Sequence, residues 1–259
     1  MKRRLPARMF CATILRMITQ AVILSAGLGT RLRPTTDTVP KVMIPILGKP
    51  LLEWHIAQFK KHGVSEFCIN THYLPRAIAD YFGDGSRWGV RVNYTFEEKP
   101  LGTAGGLRGF EGTLRGPFFL IYGDTFSLLD YTKMQTAWNT LPAGALGMQL
   151  MKETANYADA DVAEIDKDGR FIAVHAKPHE RAYNRVYRMR GVFILQKEIL
   201  AHIPPRAHYE IGKHLLPDVV SRGLAFYGYE CDDYSKGIDT VEKWREVEEY
   251  LKKNSPLRL

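Results

Sequence analysis

Short apolar segments alternate with segments of helical periodicity along the first half of the chain. Residues 20–25 contain three consecutive apolar side chains, Val22, Ile23 and Leu24, which is typical of a buried strand. The predicted strands of this half are 20–25, 66–70, 90–96 and 117–122, and the predicted helices are 51–62, 75–82 and part of 101–114. Because strands alternate with helices, we predict an α/β fold with a mostly parallel sheet flanked by helices.

The second half of the chain is richer in strand patterns. Its predicted strands are 145–151, 162–165, 171–174 and 192–195, with a tight turn at 166–169, and its predicted helices are 212–221 and 241–253. Since no linker rich in Pro, Gly or Ser separates the halves, we predict one domain over residues 20–259 with a β-rich second lobe. We interpret residues 1–19 as a basic extension outside this domain.

Composition and charge indicate which kinds of binding partner to expect. Hydrophobic residues make up 45% of the chain and charged residues 25%, which is ordinary for a globular protein. No run approaches the roughly 18 apolar residues of a membrane span, so we expect no membrane partner. The formal net charge is +8, but residues 1–20 alone hold five basic residues and no acidic one. The remaining chain is only weakly basic, which favours small phosphorylated ligands over nucleic acid.

The three cysteines, Cys11, Cys68 and Cys231, are far apart in the sequence and form no CxxC pair. This pattern argues against a disulfide framework and against a structural zinc site, and it favours a reducing, cytoplasmic location.

A Gly-rich segment follows the first predicted strand, where Gly27 and Gly29 precede Thr30, Arg31 and Arg33. Two glycines permit a tight turn whose backbone N–H groups point at a phosphate, and the arginines can neutralise the remaining oxygens. The spacing matches neither a Walker A loop nor the dinucleotide-binding G-x-G-x-x-G pattern. A simple connection between strand and helix is the alternative, and the two arginines favour the phosphate-binding loop.

A second segment, Val39-Pro40-Lys41, lies close behind. Its proline restricts the path of the backbone and so fixes the position of the lysine. The ammonium group of Lys41 is a suitable point charge for a pyrophosphate leaving group, although a lone surface lysine would be the ordinary interpretation.

Taken together, these segments resemble the signature of the sugar-1-phosphate nucleotidyltransferases. The matching blocks are residues 27–34, 40–41, 48–51, 97–105, 122–124 and 236–240, in the order of the family. The resemblance covers about residues 20–253. It implies a Rossmann-like sheet with a β-rich sugar-binding lobe, and an enzyme that uses Mg²⁺ to join an NTP to a sugar 1-phosphate with release of pyrophosphate.

The resemblance also implies roles for individual residues. The nucleotide-binding residues would be Ala26, Gly27, Gly29, Thr30, Arg31, Glu97, Pro100, Gly102 and Thr103. The sugar-binding residues would be Gly123, Glu164, Lys177 and Gly191. The catalytic residues would be Arg31, Lys41, Asp124 and Lys177, and the metal ligands Asp124 and Asp239.

The two predicted metal ligands differ in how well their surroundings match the family. Asp124 stands at the C-terminal end of a predicted strand, where ligand sites of open α/β sheets lie. Two carboxylates suit Mg²⁺, because phosphate oxygens and water complete its coordination. The block around Asp239 departs from the commoner Asp-Ile-Gly-Thr order and resembles the Met-Asp-Thr form of glucose-1-phosphate cytidylyltransferases. For each aspartate, a turn or capping role is the alternative.

Glu97 is the best indicator of the base. In the resemblance this position contacts the base edge, and a carboxylate only accepts hydrogen bonds. Guanine offers two adjacent donors, cytosine one amine, and uracil or thymine one N–H between two carbonyl oxygens. We therefore predict GTP, with CTP or UTP as alternatives. The other interpretation is that Glu97 points to solvent at the end of a strand.

The predicted sugar pocket departs from the family at four positions. Ala176 replaces a common glutamate before Lys177, Ala160 and Asp161 replace a common Tyr-Gly, and Arg190 replaces a common asparagine. One interpretation is an unusual acceptor, manno-configured or more heavily phosphorylated. The other is neutral variation around an ordinary hexose 1-phosphate.

Two further expectations follow from the resemblance. The departures in the sugar pocket allow a non-catalytic regulatory or binding relative of the family, although the retained Arg31, Lys41, Asp124 and Lys177 favour an enzyme. Self-association into a homo-oligomer is also expected.

Overall fold

The structure, a computed structural model, describes residues 17–254. Residues 1–16 of the predicted basic extension lie outside the described residues. Ile18, which the prediction placed in that extension, is buried, and its N–H donates to Gln135 Oε1 over 2.8 Å. The packed domain therefore includes Ile18, ahead of the predicted boundary at residue 20.

The described chain alternates strands and helices in its first half and is mostly strand in its second. The strands are β1 (Gln20–Leu24), β2 (Pro45–Ile46), β3 (Lys49–Pro50), β4 (Glu66–Thr71), β5 (Arg91–Phe96), β6 (Phe118–Tyr122), β7 (Thr125–Ser127), β8 (Gly147–Thr154), β9 (Val162–Ile165), β10 (Phe171–His175), β11 (Val186–Leu195), β12 (Phe226–Glu230) and β13 (Ser235–Gly237). The α-helices are α1 (Leu51–Lys61), α2 (Pro75–Phe82), α3 (Gly102–Gly105), α4 (Tyr131–Trp138), α5 (Leu216–Ser221) and α6 (Val241–Asn254). Tighter 3-10 turns include Thr30–Leu32, Lys41–Met43 and Gly106–Phe110, and a π-helical turn, Ile211–Leu215, leads into α5.

A nine-stranded sheet organises these elements. Seven strands follow the order β10-β9-β11-β6-β1-β4-β5, while β8 joins β11 and β12. The strands β6, β1, β4 and β5 are all parallel, and β11 runs antiparallel beside β6. The predicted Rossmann-like α/β fold with a β-rich lobe is confirmed.

Alternation along the central strands explains why the sheet is covered on both faces. In β6, Phe119 and Ile121 pack into one core cluster, whereas Phe118 and Leu120 pack into a second cluster on the opposite face. A parallel strand buried on both sides reads as a continuous apolar run, which is why this strand was predictable from the sequence.

The strand β11 joins the two halves of the molecule. Its N-terminal part pairs with β9 of the lobe, its C-terminal part pairs with the central strand β6, and β8 lies beside both parts. The register against β8 shifts between Met189 and Phe193, which is a bulge in the middle of the strand. This irregularity lies where the strand passes the candidate site.

In several places the elements differ from the sequence prediction. The strand predicted at 192–195 begins earlier, at Val186, and α4 and β12 were not predicted. The helix predicted within 101–114 is a short α-helix that continues as a 3-10 turn. Among the described residues, no helix has the length and apolar character needed to cross a membrane.

Candidate functional site

Two adjoining pockets lie at the C-terminal edge of the parallel strands. The first, here called the loop pocket, has a cavity volume of about 290 Å³ and is lined by the ends of β1, β4, β5 and β6. The second, the lobe pocket, has a volume of about 530 Å³ and lies between the end of β6 and the β-rich lobe. Both pockets are lined by Tyr122 and Asp124. Asp124 therefore stands at their junction.

The Gly-rich segment forms one wall of the loop pocket. Gly29 has a φ of 67°, a conformation that favours glycine, and its carbonyl accepts a hydrogen bond of 2.8 Å from Thr36 Oγ1. Within residues 17–254, the backbone N–H groups of Gly27, Leu28 and Gly29 donate no hydrogen bond. Ala26, Gly27 and Gly29, three of the residues predicted to bind the nucleotide, line the pocket. Thr30 begins the following turn and lines neither pocket.

Lys41 and Asp124, predicted from separate motifs, meet in the structure. Lys41 begins the turn Lys41–Met43 directly after Pro40, and its Nζ lies 2.6 Å from Asp124 Oδ2. The lysine side chain is 12% exposed, so the charge is held in a partly desolvated place. The pair joins the loop pocket to the lobe pocket.

Asp239 reaches the same junction through the small sheet of β7 and β13. Gly237 pairs with Thr125, and the N–H of Ile238 donates to the Asp124 carbonyl over 2.7 Å. This pairing explains how two aspartates that are far apart in sequence come to line one pocket.

Two cations neutralise Asp239. Arg31 Nη1 lies 2.6 Å from Asp239 Oδ2, and Lys243 Nζ lies 2.7 Å from Asp239 Oδ1. Burial alone would raise the pKa of Asp239, but Lys243 and Arg31 outweigh it and lower the pKa below its usual value. Arg31 therefore lies in the lobe pocket rather than in the loop pocket expected for a nucleotide-binding residue.

The two aspartates fit the predicted Mg²⁺. The described residues contain no group of three or more His, Cys, Asp or Glu side chains that could enclose a metal ion. Mg²⁺ needs no such group, because it is commonly held by one or two carboxylates together with substrate phosphates and water. Asp124 and Asp239 both line the lobe pocket and supply two such carboxylates.

Glu97 is buried rather than pointing to solvent, which excludes one of its two interpretations. It is 5% exposed and lines the loop pocket. Its Oε1 accepts from Asn70 Nδ2 over 2.6 Å, and its Oε2 accepts from the N–H of Leu101 over 2.7 Å. Asn70 Oδ1 in turn accepts from the N–H of Ser25, over 2.7 Å. Glu97 therefore anchors the 97–105 loop and is linked through Asn70 to the start of the Gly-rich segment.

Thr103 ties the other end of this loop to the second half of the chain. Its Oγ1 donates to Glu210 Oε2 over 2.7 Å and accepts from the N–H of Ile211 over 2.8 Å. Thr103 lines the loop pocket together with Gly102 and Pro100, two other residues predicted to bind the nucleotide. Glu210 also lines it and was not predicted, because no local motif marks it.

His55 supports the junction from below, on α1. Its Nε2 lies 3.0 Å from the carbonyl oxygen of Gly123, so Nε2 carries the proton and donates. Gly123 has no room for a Cβ beside Leu24 and Val42, and it lines the loop pocket rather than the lobe pocket predicted for a sugar contact. Burial lowers the pKa of His55 to about 4, so the ring is neutral at physiological pH. His55 thus holds the residue before Asp124.

Because His55 is buried in its neutral form, we expect the stability of the protein to decrease as the pH falls. The folded-state pKa of about 4 lies below the 6.5 of an unfolded histidine, so between these values the unfolded state binds more protons. The stabilisation is complete above pH 6.5 and is lost as the pH falls toward 4. The substitution His55→Gln keeps a hydrogen-bond donor but removes the titrating group. Between pH 7.5 and 5 we expect the free energy of unfolding of this variant to fall by about 2 kcal/mol less than that of the wild type. Urea unfolding of both proteins at the two pH values measures this difference, and equal losses would contradict it.

Lys177 and Gly191, two of the residues predicted to bind the sugar, line the lobe pocket. Lys177 Nζ donates to the Asp159 carbonyl over 2.9 Å, and the Lys177 N–H donates to Asp161 Oδ1 over 3.1 Å. A Cβ on Gly191 would come within 2.8 Å of the Tyr122 ring, so only glycine allows β11 to approach the end of β6 this closely.

Glu164 is the predicted sugar contact that the structure does not bring to this pocket. Its Oε1 lies 2.7 Å from His175 Nε2, whose ring stacks on Tyr183. Glu164 lines a separate groove on the outer part of the lobe. The prediction for Glu164 therefore needs correction, because its side chain pairs with the neighbouring strand β10 and not with the pocket.

Three of the four departures from the family pattern do lie in the lobe pocket. Ala160, Asp161 and Arg190 line it, whereas Ala176 does not. Gln149, Arg188 and Ser235 also line it and were not singled out by sequence. Gln149 lies in a predicted strand, but its inward direction depends on how β8 pairs with β11.

Comparison with known proteins supplies further evidence. A family model described as nucleotidyl transferase matches residues 20–250. The chain is 33% identical over 227 residues to a UTP–glucose-1-phosphate uridylyltransferase of Synechocystis, covering 82% of this chain but 58% of that protein. It is 30% identical over 234 residues to a D-glycero-alpha-D-manno-heptose 1-phosphate guanylyltransferase of Aneurinibacillus thermoaerophilus, covering 90% of this chain and 98% of that protein.

Among solved structures, HddC from Yersinia pseudotuberculosis, in complex with GMP-PN, resembles this chain. The TM-score is 0.73 and the identity 23%, with 90% of this chain and 100% of that chain covered. At this identity the likeness concerns the fold. The chain spans less than two thirds of the Synechocystis relative and nearly all of the Aneurinibacillus one.

Proposed function

Because the chain belongs to the nucleotidyl transferase family, we propose that it joins a nucleoside triphosphate to a sugar 1-phosphate and releases pyrophosphate. The loop pocket would take the nucleotide and the lobe pocket the sugar 1-phosphate. The observation that carries this proposal is the junction of the two pockets at Asp124, because a transfer between two substrates requires that their reacting phosphates meet.

The charges at the junction support a metal–triphosphate substrate. Asp124 is paired with Lys41, and Asp239 with Arg31 and Lys243, so carboxylates and cations compensate each other. A triphosphate bound with Mg²⁺ offers both signs of charge. Asp124 and Asp239 would hold the metal ion, while Lys41 and Arg31 would turn to phosphate oxygens. When bound, Mg²⁺ would neutralise charge on the α-phosphate and make its phosphorus a better electrophile.

The chain's own residues would then position the reactants. An oxygen of the sugar 1-phosphate, held by Lys177, attacks the α-phosphorus and forms a new P–O bond. The bond from that phosphorus to the bridging oxygen breaks, and pyrophosphate leaves with the electron pair toward Lys41. No protein base is needed, because a phosphate monoester is already anionic at neutral pH. Catalysis would therefore consist of orientation and charge neutralisation.

For the base we propose guanine, and for the acceptor a manno-configured sugar. Glu97 lines the loop pocket, and each carboxylate oxygen can accept a second hydrogen bond beside those from Asn70 and Leu101. These remaining acceptor positions suit the adjacent donors of guanine. The full-length match to a manno-heptose 1-phosphate guanylyltransferase supports the same choice, while the uridylyltransferase relative makes UTP the main competitor.

Pyrophosphate release with a panel of substrates tests the proposal. The purified protein is incubated with Mg²⁺, each of GTP, CTP, UTP and dTTP, and either mannose 1-phosphate or glucose 1-phosphate. We expect release that requires both substrates and is fastest with GTP. Faster turnover with UTP or dTTP would contradict the guanine proposal, and no release with any pair, from protein that still binds nucleotide, would favour a non-catalytic relative of the family.

A further inference from the structure

Arg190 stands at the bulge of β11 and lines the lobe pocket. The bulge separates the part of β11 that pairs with the lobe from the part that pairs with β6. Bulges redirect side chains next to functional sites, and here the residues between Met189 and Phe193 lie beside the pocket junction.

The guanidinium of Arg190 lacks a carboxylate partner within residues 17–254, unlike the other arginines of the pocket. Arg188 lies 2.6 Å from Asp159, and Arg31 lies 2.6 Å from Asp239. Arg190 makes one long hydrogen bond, from Nη1 to the Ser235 carbonyl over 3.4 Å. Burial, and secondly the nearby Arg188, lower the pKa of Arg190, although Asp159, which is already paired with Arg188, acts in the opposite direction. A half-buried charge without a directly paired carboxylate is costly, so the place favours an incoming anion.

Two buried polar atoms of the same pocket also lack partners in the described part of the chain. Gln149 is 2% exposed, and its Oε1 accepts no hydrogen bond, although its Nε2 donates to the Arg190 carbonyl over 2.8 Å. The Ser235 Oγ likewise has no partner. Buried polar groups are normally hydrogen-bonded, so an amide oxygen and a hydroxyl without partners, beside a guanidinium that lacks a paired carboxylate, indicate a polar ligand.

We propose that Arg190, with Gln149 and Ser235, forms a subsite for a second acidic group on the acceptor sugar, a carboxylate or a further phosphate, separate from the 1-phosphate assigned to Lys177. This inference rests on the proposed function and specifies its acceptor class. Arg190 supplies charge-assisted hydrogen bonds to the acidic group, the Ser235 hydroxyl donates to it, and Gln149 Oε1 accepts from a neighbouring sugar hydroxyl.

Three acceptor sugars of the same configuration distinguish whether the second acidic group is a phosphate or a carboxylate. They are mannose 1-phosphate, mannose 1,6-bisphosphate and mannuronic acid 1-phosphate. Binding to the whole protein is measured by calorimetry, and turnover by pyrophosphate release with GTP and Mg²⁺. We expect at least one of the doubly acidic sugars to bind about 10- to 100-fold more tightly than mannose 1-phosphate, as a charge-assisted hydrogen bond predicts. Preference for the bisphosphate identifies a phosphate ligand, and preference for the uronic acid a carboxylate.

Variants of Arg190 and of a nearby arginine show whether Arg190 causes the preference for doubly acidic sugars. Arg190→Gln should abolish the preference, so that the doubly acidic sugars bind no more tightly than mannose 1-phosphate, whereas Arg190→Lys should keep part of the preference. The matched control is Arg185→Gln, because Arg185 pairs with Glu153 over 3.0 Å on the surface, outside the lobe pocket. This control should keep the full preference, and thermal unfolding midpoints verify that each variant is folded.

The outcomes distinguish the subsite from the underlying function. Equal binding of all three sugars by the wild type, or a preference that persists in Arg190→Gln, overturns the subsite even if pyrophosphate is released. A preference that Arg190→Gln removes, in a protein that releases no pyrophosphate from GTP, CTP, UTP or dTTP, supports the subsite and contradicts the transferase activity.

Discussion

We expect Asp124→Asn to lower kcat about 100- to 1000-fold while the protein stays folded. The substitution removes the negative charge at the junction of the two pockets, where Asp124 Oδ2 lies 2.6 Å from Lys41 Nζ. A metal ion would lose one of its two anionic protein ligands, and Lys41 would lose its counter-charge. The fold should persist, because the side chain is 33% exposed and the backbone hydrogen bond between Ile238 and the Asp124 carbonyl does not depend on the carboxylate.

Pyrophosphate release at saturating substrates measures this effect, and the thermal unfolding midpoint verifies the fold. The matched control is Asp232→Asn, because Asp232 also pairs with a lysine, Lys152, over 2.8 Å, but lies exposed and away from both pockets. The control should keep wild-type kcat. Unchanged turnover in Asp124→Asn would show that this carboxylate has no part in the chemistry.

We expect Glu97→Gln to weaken the binding of all four nucleotides at least about 10-fold, and GTP further. A glutamine at this position presents an NH₂ group where the carboxylate now accepts from both Asn70 and Leu101, so one donor would face another. Asn70 cannot relieve this by turning its amide, because its Oδ1 accepts from Ser25. Leaving a buried donor unpaired should also lower the free energy of unfolding by about 1–3 kcal/mol.

The neighbouring Glu98 supplies the control for this variant. It is exposed, makes no hydrogen bond or ion pair within residues 17–254, and carries the same charge, so Glu98→Gln should change neither affinity nor stability. Nucleotide affinities are measured by calorimetry. A loss limited to GTP would contradict the anchoring role of Glu97, whereas equal losses for all nucleotides would contradict its contact with guanine.

The central sheet was predictable because its strands are buried on both faces. The side chains of β1 and β6 that face the two core clusters form apolar runs, and those of α1 and α2 that face the core recur at helical spacing. Each of these patterns can be recognised within its own segment of sequence. The first half of β11 was missed for the opposite reason. Arg188 and Arg190 line the lobe pocket and interrupt the apolar pattern of this part of the strand. A prediction from apolar periodicity therefore does not detect it.

The candidate site divides in the same way. The loop conformations at Gly29 and Lys41 depend on local residue types, namely a glycine at a positive φ and a proline before the lysine. Short sequence motifs were therefore enough to single out these two residues. Asn70, His55 and Glu210 act through partners that only the tertiary fold brings near, and nothing in the local sequence of His55 or Glu210 marks them. Asn70 alone carried a usable signal, since it ends a predicted strand at the edge where ligands bind.

The divided pairing of β11 bears on how such proteins diversify. Residues 192–195 are registered against β6, directly before the edge of the sheet where the two pockets lie, so that part of the strand is fixed by its pairing with the central sheet. The part before the bulge pairs with the lobe, and the bulge absorbs local differences in length and direction. Under the proposed function, exchanges of Arg188 or Arg190 would therefore alter the contacts to the acceptor without changing the register of β11 against β6.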